Sequence, residues 1–114
     1  MKQLFITAAT GQACFKEVEE PPLDHPRAVK VDTLVSAVSA GTERRIITAI
    51  RSGEAQFDED RPLGYASAGI VREVGADAEG TAPGDLVAVY GSAAVLGGHV
   101  GVSVPRLHHF AKVP

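Results

Sequence analysis

The sequence predicts a mainly β fold, a small and partly open barrel with one or two short helices, and three patterns carry that expectation. Apolar residues recur at every second position through most of the chain, the period of a half-buried strand. Glycine and proline cut these alternating runs into short pieces, at Gly11, Gly41, Gly53, Gly75, Pro83-Gly84 and Pro105. One stretch alone, Thr42 to Ser52, changes to helical spacing, with Ile46, Ile47 and Ile50 on one side.

Taken in order, Leu4–Thr7 and Ala13–Glu19 read as a hairpin turning at Gly11. Pro21, Pro22 and Pro26 enforce an extended connection. Across Ala28–Val38, Val29, Val31, Thr33, Val35 and Ala37 share one face, which is the buried one. The other face carries Lys30, Asp32, Leu34, Ser36 and Val38 and turns apolar towards its end, where Gly41 breaks the strand. Thr42 is placed to cap the helix, and Gly53 to stop it. Glu54–Asp60 is an acidic surface loop that ends at Pro62. Tyr65–Val74 alternates until Gly75, Pro83-Gly84-Asp85 turns into the strand Leu86–Tyr90, and Val100, Val102 and Val104 line one face of His99–Val104 before Pro105.

Composition narrows the function classes. At 114 residues the chain reads as a single domain, 1–114, long enough to bury a core without staples. A net charge of -3 carries no electrostatic footprint for nucleic acid or an anionic membrane surface. No apolar run reaches the roughly 20 residues of a membrane helix, because Gly91, Gly97, Gly98 and Gly101 interrupt the richest region. The first residues lack the apolar core and cleavage site of a signal peptide. Cys14 is the lone cysteine, which excludes an internal disulfide and makes a cytoplasmic chain the expectation. Its place between Ala13 and Phe15 reads as a buried, inert thiol.

Three stretches set tight glycine turns beside apolar strands: Ala40-Gly41-Thr42-Glu43, Gly64-Tyr65-Ala66-Ser67-Ala68-Gly69-Ile70-Val71, and Gly84-Asp85-Leu86-Val87. In order and spacing they resemble the N-terminal half of the medium-chain dehydrogenase/reductase family, which includes the zinc alcohol dehydrogenases. That half is the GroES-like, or catalytic, domain, and the resemblance runs from Leu4 to Pro114. In the zinc enzymes the first stretch reads Cys-Gly-Thr-Asp and the second Gly-His-Glu. Here Ala40 stands in place of the ligand cysteine, Tyr65 in place of the histidine, and Ala66 in place of the glutamate. A soft divalent ion seeks thiolate and imidazole, and alanine offers no lone pair. Between Val87 and His99, where the family's four-cysteine lobe would fall, there is no cysteine. The resemblance thus implies a zinc-depleted subgroup, similar to one that includes the bacteriochlorophyll-pathway hydroxyethyl dehydrogenases.

The implied function is the substrate-side domain of an NAD(P)-dependent oxidoreductase acting on a small-molecule carbonyl or alcohol. No Gly-x-Gly-x-x-Gly fingerprint follows a strand here. In the family that fingerprint lies on a Rossmann domain, which would begin shortly after Pro114. The chain alone is therefore expected to be inactive.

Within the resemblance, Tyr65 and Thr42 are the catalytic candidates. Tyr65 points into the family's cleft, where a phenol can donate to a developing oxyanion, or it fills the volume vacated by histidine and zinc. Ser67 is a weaker second donor on the same face. Thr42 answers the family's proton-relay threonine, and a helix N-cap is its plainer role. Glu43 answers a second acid near the metal, or is a first-turn acid favoured by the helix dipole. Arg44 and Arg45 answer the cofactor-facing region, so one of them reaches a phosphate or both lie on a solvated helix face. No metal ligand is assigned. His25, His99, His108 and His109 read as satisfied imidazoles, His108 and His109 on opposite faces of a strand, with His99 the best placed for a pocket because Gly97-Gly98 brings it close.

Two other classes remain open. One is a free-standing binding or assembly module that docks onto a separate cofactor subunit or self-associates as a homo-oligomer through an uncovered barrel edge. The other is a co-chaperonin, which shares the barrel; the polar Glu54–Asp60 loop argues against it.

Overall fold

The structure is a computed structural model and describes residues 1–91 and 98–114. Its strands are β1 Lys2–Ile6, β2 Ala13–Glu17, β3 Val29–Ser36, β4 Arg61–Pro62, β5 Ala66–Val74, β6 Leu86–Tyr90, β7 Val102–Ser103 and β8 Phe110–Lys112. One α-helix, α1 Ala40–Arg51, and a 3-10 turn at Leu107–His109 complete the described elements. Every strand pairing is antiparallel. The strands form a three-stranded sheet ordered β2-β1-β4 and a five-stranded sheet ordered β7-β3-β5-β6-β8. This is the mainly β, partly open architecture expected, and no closed barrel forms among the described residues.

Each sheet carries its own core. In the larger one Val29, Val31, Val71, Val87 and Val89 bury against Ala78, with Val74, Leu107 and Phe110 packed over them. In the smaller one Ile6 and Leu63 receive Ile50 from α1, flanked by Ile46, Ile47 and Phe57. The isoleucine spacing that marked the helix is therefore the stripe it buries. The hairpin turns at Gly11, whose φ of +66° suits glycine. Gly53, at φ +78°, stops the helix as expected.

β3 departs from simple alternation, and the departure shapes the molecule. Its register with β5 shifts between Thr33 and Val35, so Leu34 is an extra residue opposite Gly69 and Ala68. Beyond that bulge Val35, expected on the buried face, is 64% exposed beside Leu34. A second shift between Lys30 and Val31 leaves Arg72 as the extra residue on β5. Arg72 reaches Asp32 and Glu20, and Lys30 joins Glu20 at 3.0 Å. The two strands approach so closely at Gly69 that a Cβ there would stand 2.2 Å from the Asp32 carbonyl oxygen.

Three further expectations are corrected. His108 and His109 lie on the 3-10 turn, not on opposite faces of a strand, and their rings are 4.0 Å apart. Tight i to i+1 spacing on a short turn places them side by side. Cys14 is half-buried rather than buried, because β2 is the edge of its sheet. The alternation of His99–Val104 yields a strand only at Val102–Ser103, with Val100 bridging to Gln3.

Two outcomes follow from this packing. Gly69→Ala lowers stability by about 1–3 kcal/mol, read as a lower urea midpoint, because backbone rather than a movable side chain blocks the methyl. Asp60 is held below the ordinary carboxylate range by Lys16 and then by the Ala8 N–H, and Glu20 by Lys30. Their stabilisation is complete above the unfolded-chain value near pH 4 and is lost as pH falls through the lower folded value. Acid titration of the thermal midpoint shows a decline below about pH 4, and Asp60→Asn flattens part of it.

Candidate functional site

Four segments converge where the resemblance places the catalytic cleft: the end of β3 with Ser36, the first turn of α1 with Ser39 and Glu43, the Gly64-Tyr65 turn before β5, and His99. Backbone bonds fix the convergence. Gly98 N–H donates to the Gly64 carbonyl at 2.8 Å, His99 N–H to Leu63 at 3.2 Å, and Leu4 N–H to His99 at 2.9 Å. The His99 ring lies against Gly64, where a Cβ would come within 2.7 Å of Cδ2. Gly64 also has φ +90°, so two independent reasons demand glycine there.

A hydrogen-bonded chain runs through this junction. Tyr65 donates its hydroxyl to Ser39 Oγ at 2.5 Å. Ser39 N–H donates to Glu43 Oε2 at 2.6 Å. Glu43 Oε1 lies 2.5 Å from His99 Nε2, and His99 Nδ1 lies 2.6 Å from Ser36 Oγ. Glu43 is 6% exposed and His99 9%, so both are removed from water. An ionised carboxylate accepts and cannot donate. His99 Nε2 therefore carries hydrogen towards Glu43, and in the neutral ring Nδ1 accepts from the Ser36 hydroxyl. The Tyr65 ring is held by an edge-on contact with Tyr90, centroids 5.6 Å apart.

The helix start explains the arrangement and corrects the expectation that Thr42 is the cap. Ser39, not Thr42, is the N-cap, and α1 begins at Ala40. The Ser39 side chain makes no cap bond, since its hydroxyl receives Tyr65. Glu43 performs the reciprocal half of capping from one turn inside, by accepting the Ser39 N–H. It is a first-turn acid, as expected, and a buried one that anchors the helix start. Thr42 is exposed on that first turn, and no hydrogen bond joins it to Tyr65 among the described residues.

Arg44 and Arg45 are exposed and make no ion pair among the described residues. Ser67 sits directly across from Ser36 in the β3–β5 ladder. His25 Nδ1 accepts the Arg27 N–H at 3.1 Å, away from this junction. Of the Gly97-Gly98 pair, Gly97 lies outside the described residues. Where the resemblance puts the ligand cysteine, the ligand histidine and the glutamate stand Ala40, Tyr65 and Ala66, a set that does not fit a tetrahedral thiolate–imidazole site. Among the described residues, no three of His, Cys, Asp and Glu gather to hold a metal.

Sequence reasoning singled out Tyr65, Glu43 and His99 separately and missed Ser36 and Ser39. The separations, 56 positions for His99 to Glu43 and 63 for His99 to Ser36, leave no local signal.

The network has a measurable hierarchy. Glu43→Ala strands a buried ring N–H and the Ser39 N–H, and costs about 1–3 kcal/mol. Tyr65→Phe removes a half-buried bond and costs about 0.5–1.5 kcal/mol. Urea midpoints rank them in that order, and Glu43→Ala with His99→Ala together costs less than the sum of the two singly.

No family model matches the chain, and no curated protein matches it. Solved structures do. Galactitol-1-phosphate dehydrogenase from Escherichia coli aligns with a TM-score of 0.78 at 19% identity, over 100% of this chain and 38% of that one. An alcohol dehydrogenase superfamily protein from Novosphingobium aromaticivorans gives 0.80 at 21% identity, over 100% and 34%. A quinone oxidoreductase from Pseudomonas syringae gives 0.73 at 23%, over 99% and 33%. The chain therefore spans about a third of the length of these structures. Its fold is that of one domain of the alcohol dehydrogenase-type oxidoreductases, as the three glycine-turn stretches implied.

Proposed function

We propose that this chain is the substrate-side domain of an NAD(P)-dependent oxidoreductase that works without zinc on a small-molecule carbonyl or alcohol. The observation that carries the reading is Tyr65. In the resemblance it occupies the ligand-histidine position, and its hydroxyl is held by Ser39, whose N–H donates to the buried Glu43. The likeness of fold to dehydrogenases and to a quinone oxidoreductase supports the reaction class.

In this reading a nicotinamide on a Rossmann domain outside the chain supplies the hydride chemistry. Tyr65 Oη turns from Ser39 to the substrate oxygen and polarises the carbonyl where a metal would otherwise stand. As negative charge builds on that oxygen, the proton passes to it from Tyr65 Oη, and Ser39 Oγ donates in turn to the phenolate. Thr42, exposed one turn into α1, is the second hydroxyl for the same oxygen. Arg44 and Arg45 fit a pyrophosphate or ribose phosphate, and because successive helix residues diverge by about 100°, one of the two faces it.

A second reading rests on exposed apolar side chains. Leu34, Val35 and Val38 are 64%, 64% and 73% exposed, and Tyr90 is 69% exposed. Apolar area of this kind serves docking onto a separate cofactor subunit or self-association.

Calorimetric titration with NADH and NADPH, with metal analysis of the same sample, separates these readings from a complete catalyst. The chain alone gives no micromolar cofactor binding and no stoichiometric zinc; micromolar binding or stoichiometric zinc overturns the proposal. Once assembled with a Rossmann domain, NAD(P)H oxidation depends on an added aldehyde, ketone or enone, and Tyr65→Phe lowers kcat by about 10²-fold or more. An unchanged kcat reduces Tyr65 to packing. Sedimentation of the chain alone reports the docking surface, as a concentration-dependent mass that Val38→Lys abolishes.

A further inference from the structure

One part of the hydrogen-bonded chain is not used by that reaction. Ser36 Oγ stands 2.6 Å from His99 Nδ1, and His99 Nε2 stands 2.5 Å from Glu43 Oε1. This is a nucleophile, a base and a carboxylate that orients the base, each within hydrogen-bonding reach of the next. The two ring nitrogens exchange partners relative to the serine proteases, which leaves the proton accounting unchanged. The base and its carboxylate are buried, while Ser36 is exposed. Ser36 and His99 open onto a shallow, open depression of about 370 Å³ lined also by Leu4, Phe15, Val38 and Val100. A relay with a dry base, a wet nucleophile and a shallow apolar depression beside it has the parts of an acyl-transfer site.

We propose that Ser36, His99 and Glu43 form a nucleophilic serine site that hydrolyses esters carrying small apolar acyl groups. The Ser36 oxygen attacks the ester carbonyl while His99 Nδ1 takes the hydroxyl proton. Collapse of the adduct breaks the bond to the leaving alcohol, which receives that proton from His99. Water then attacks the acyl-Ser36 ester, gives a proton to His99, and the acid departs as Ser36 recovers its hydrogen. The net change is ester plus water to acid plus alcohol, with no oxidant, reductant or cofactor. Glu43, held at its second oxygen by the Ser39 N–H, keeps hydrogen on Nε2 and steadies the imidazolium. Lys2, the cation among the depression's lining residues, is the group available to the developing oxyanion. Leu4, Phe15 and Val38 set the preference for an apolar acyl chain.

The test uses the 114-residue chain as it stands. It is treated with a fluorophosphonate probe, mapped by peptide mass spectrometry, and assayed with p-nitrophenyl butyrate. The expected result is one label per chain, on Ser36, with ester turnover above buffer. Ser36→Ala, at an exposed position, retains the fold by circular dichroism and loses both. Glu43→Gln, which pins the wrong tautomer, slows labelling by at least ~10-fold while the circular dichroism is kept. Absence of label on Ser36, or ester turnover undiminished in Ser36→Ala, overturns the proposal. Labelling of folded Glu43→Gln at the unaltered rate overturns the relay.

Discussion

The contact between Glu43 and His99 is the constraint on which the rest of the site depends. Both groups are out of water, and a buried polar atom without a partner costs about 1–3 kcal/mol, so each holds the other in place. Glu43 belongs to the first turn of α1, and His99 to the strand-like segment that passes β1 and Leu63. One hydrogen bond thereby ties the helix to the sheet frame at the point where the backbone of four segments meets. From its two ends the order spreads outwards, to Ser39 and Tyr65 on one side and to Ser36 on the other. The N-cap hydroxyl is committed to Tyr65, and the inward-reaching Glu43 carboxylate instead fixes the N-cap residue by accepting its N–H.

A second constraint is the close passage of β3 over β5. Gly69 permits it, and the bulges on either side turn the strands so that charge and apolar surface exchange faces. The bulge at Leu34 carries the apolar residues of β3 out to solvent beside the site, and the other swings Arg72 towards Asp32 and Glu20. Core and cleft are therefore built from the same two strands. Val29 and Val31 bury beneath the sheet, and five residues after Val31 the same strand delivers Ser36 to His99.

The sequence revealed what is periodic or punctuated. The hairpin at Gly11, the helix with its isoleucine stripe, β5 and β6 were legible because local alternation and glycine turns encode them. The N-cap was misread because Thr42 is a good cap in isolation, and only the position of Tyr65, brought from 26 residues away, decides how Ser39 is used. Val35 was misplaced because a bulge breaks the period of two without a local marker such as glycine at the extra residue. The paired histidines were read as strand because nothing in Leu107–His109 distinguishes one tight turn from an extended run. Ser36 was invisible as a site residue for a simpler reason: a serine near a strand end has no pattern at all until His99 is set against it.

Gly64 carries a consequence for how this chain can change over evolutionary time. Its positive φ and the His99 ring packed on its open side are separate demands for the same residue. Replacing His99 by something smaller would remove the ring contact but not its backbone nitrogen, 2.9 Å from where a Cβ would stand, and would leave the conformational demand intact. Drift at position 64 is therefore closed even in descendants that have abandoned the histidine, whereas drift at position 99 is open to any lineage that can dispense with Glu43. The coupling between the two positions is one-way. A lineage could lose the buried pair and still keep the glycine, as a trace of the turn and not of the chemistry.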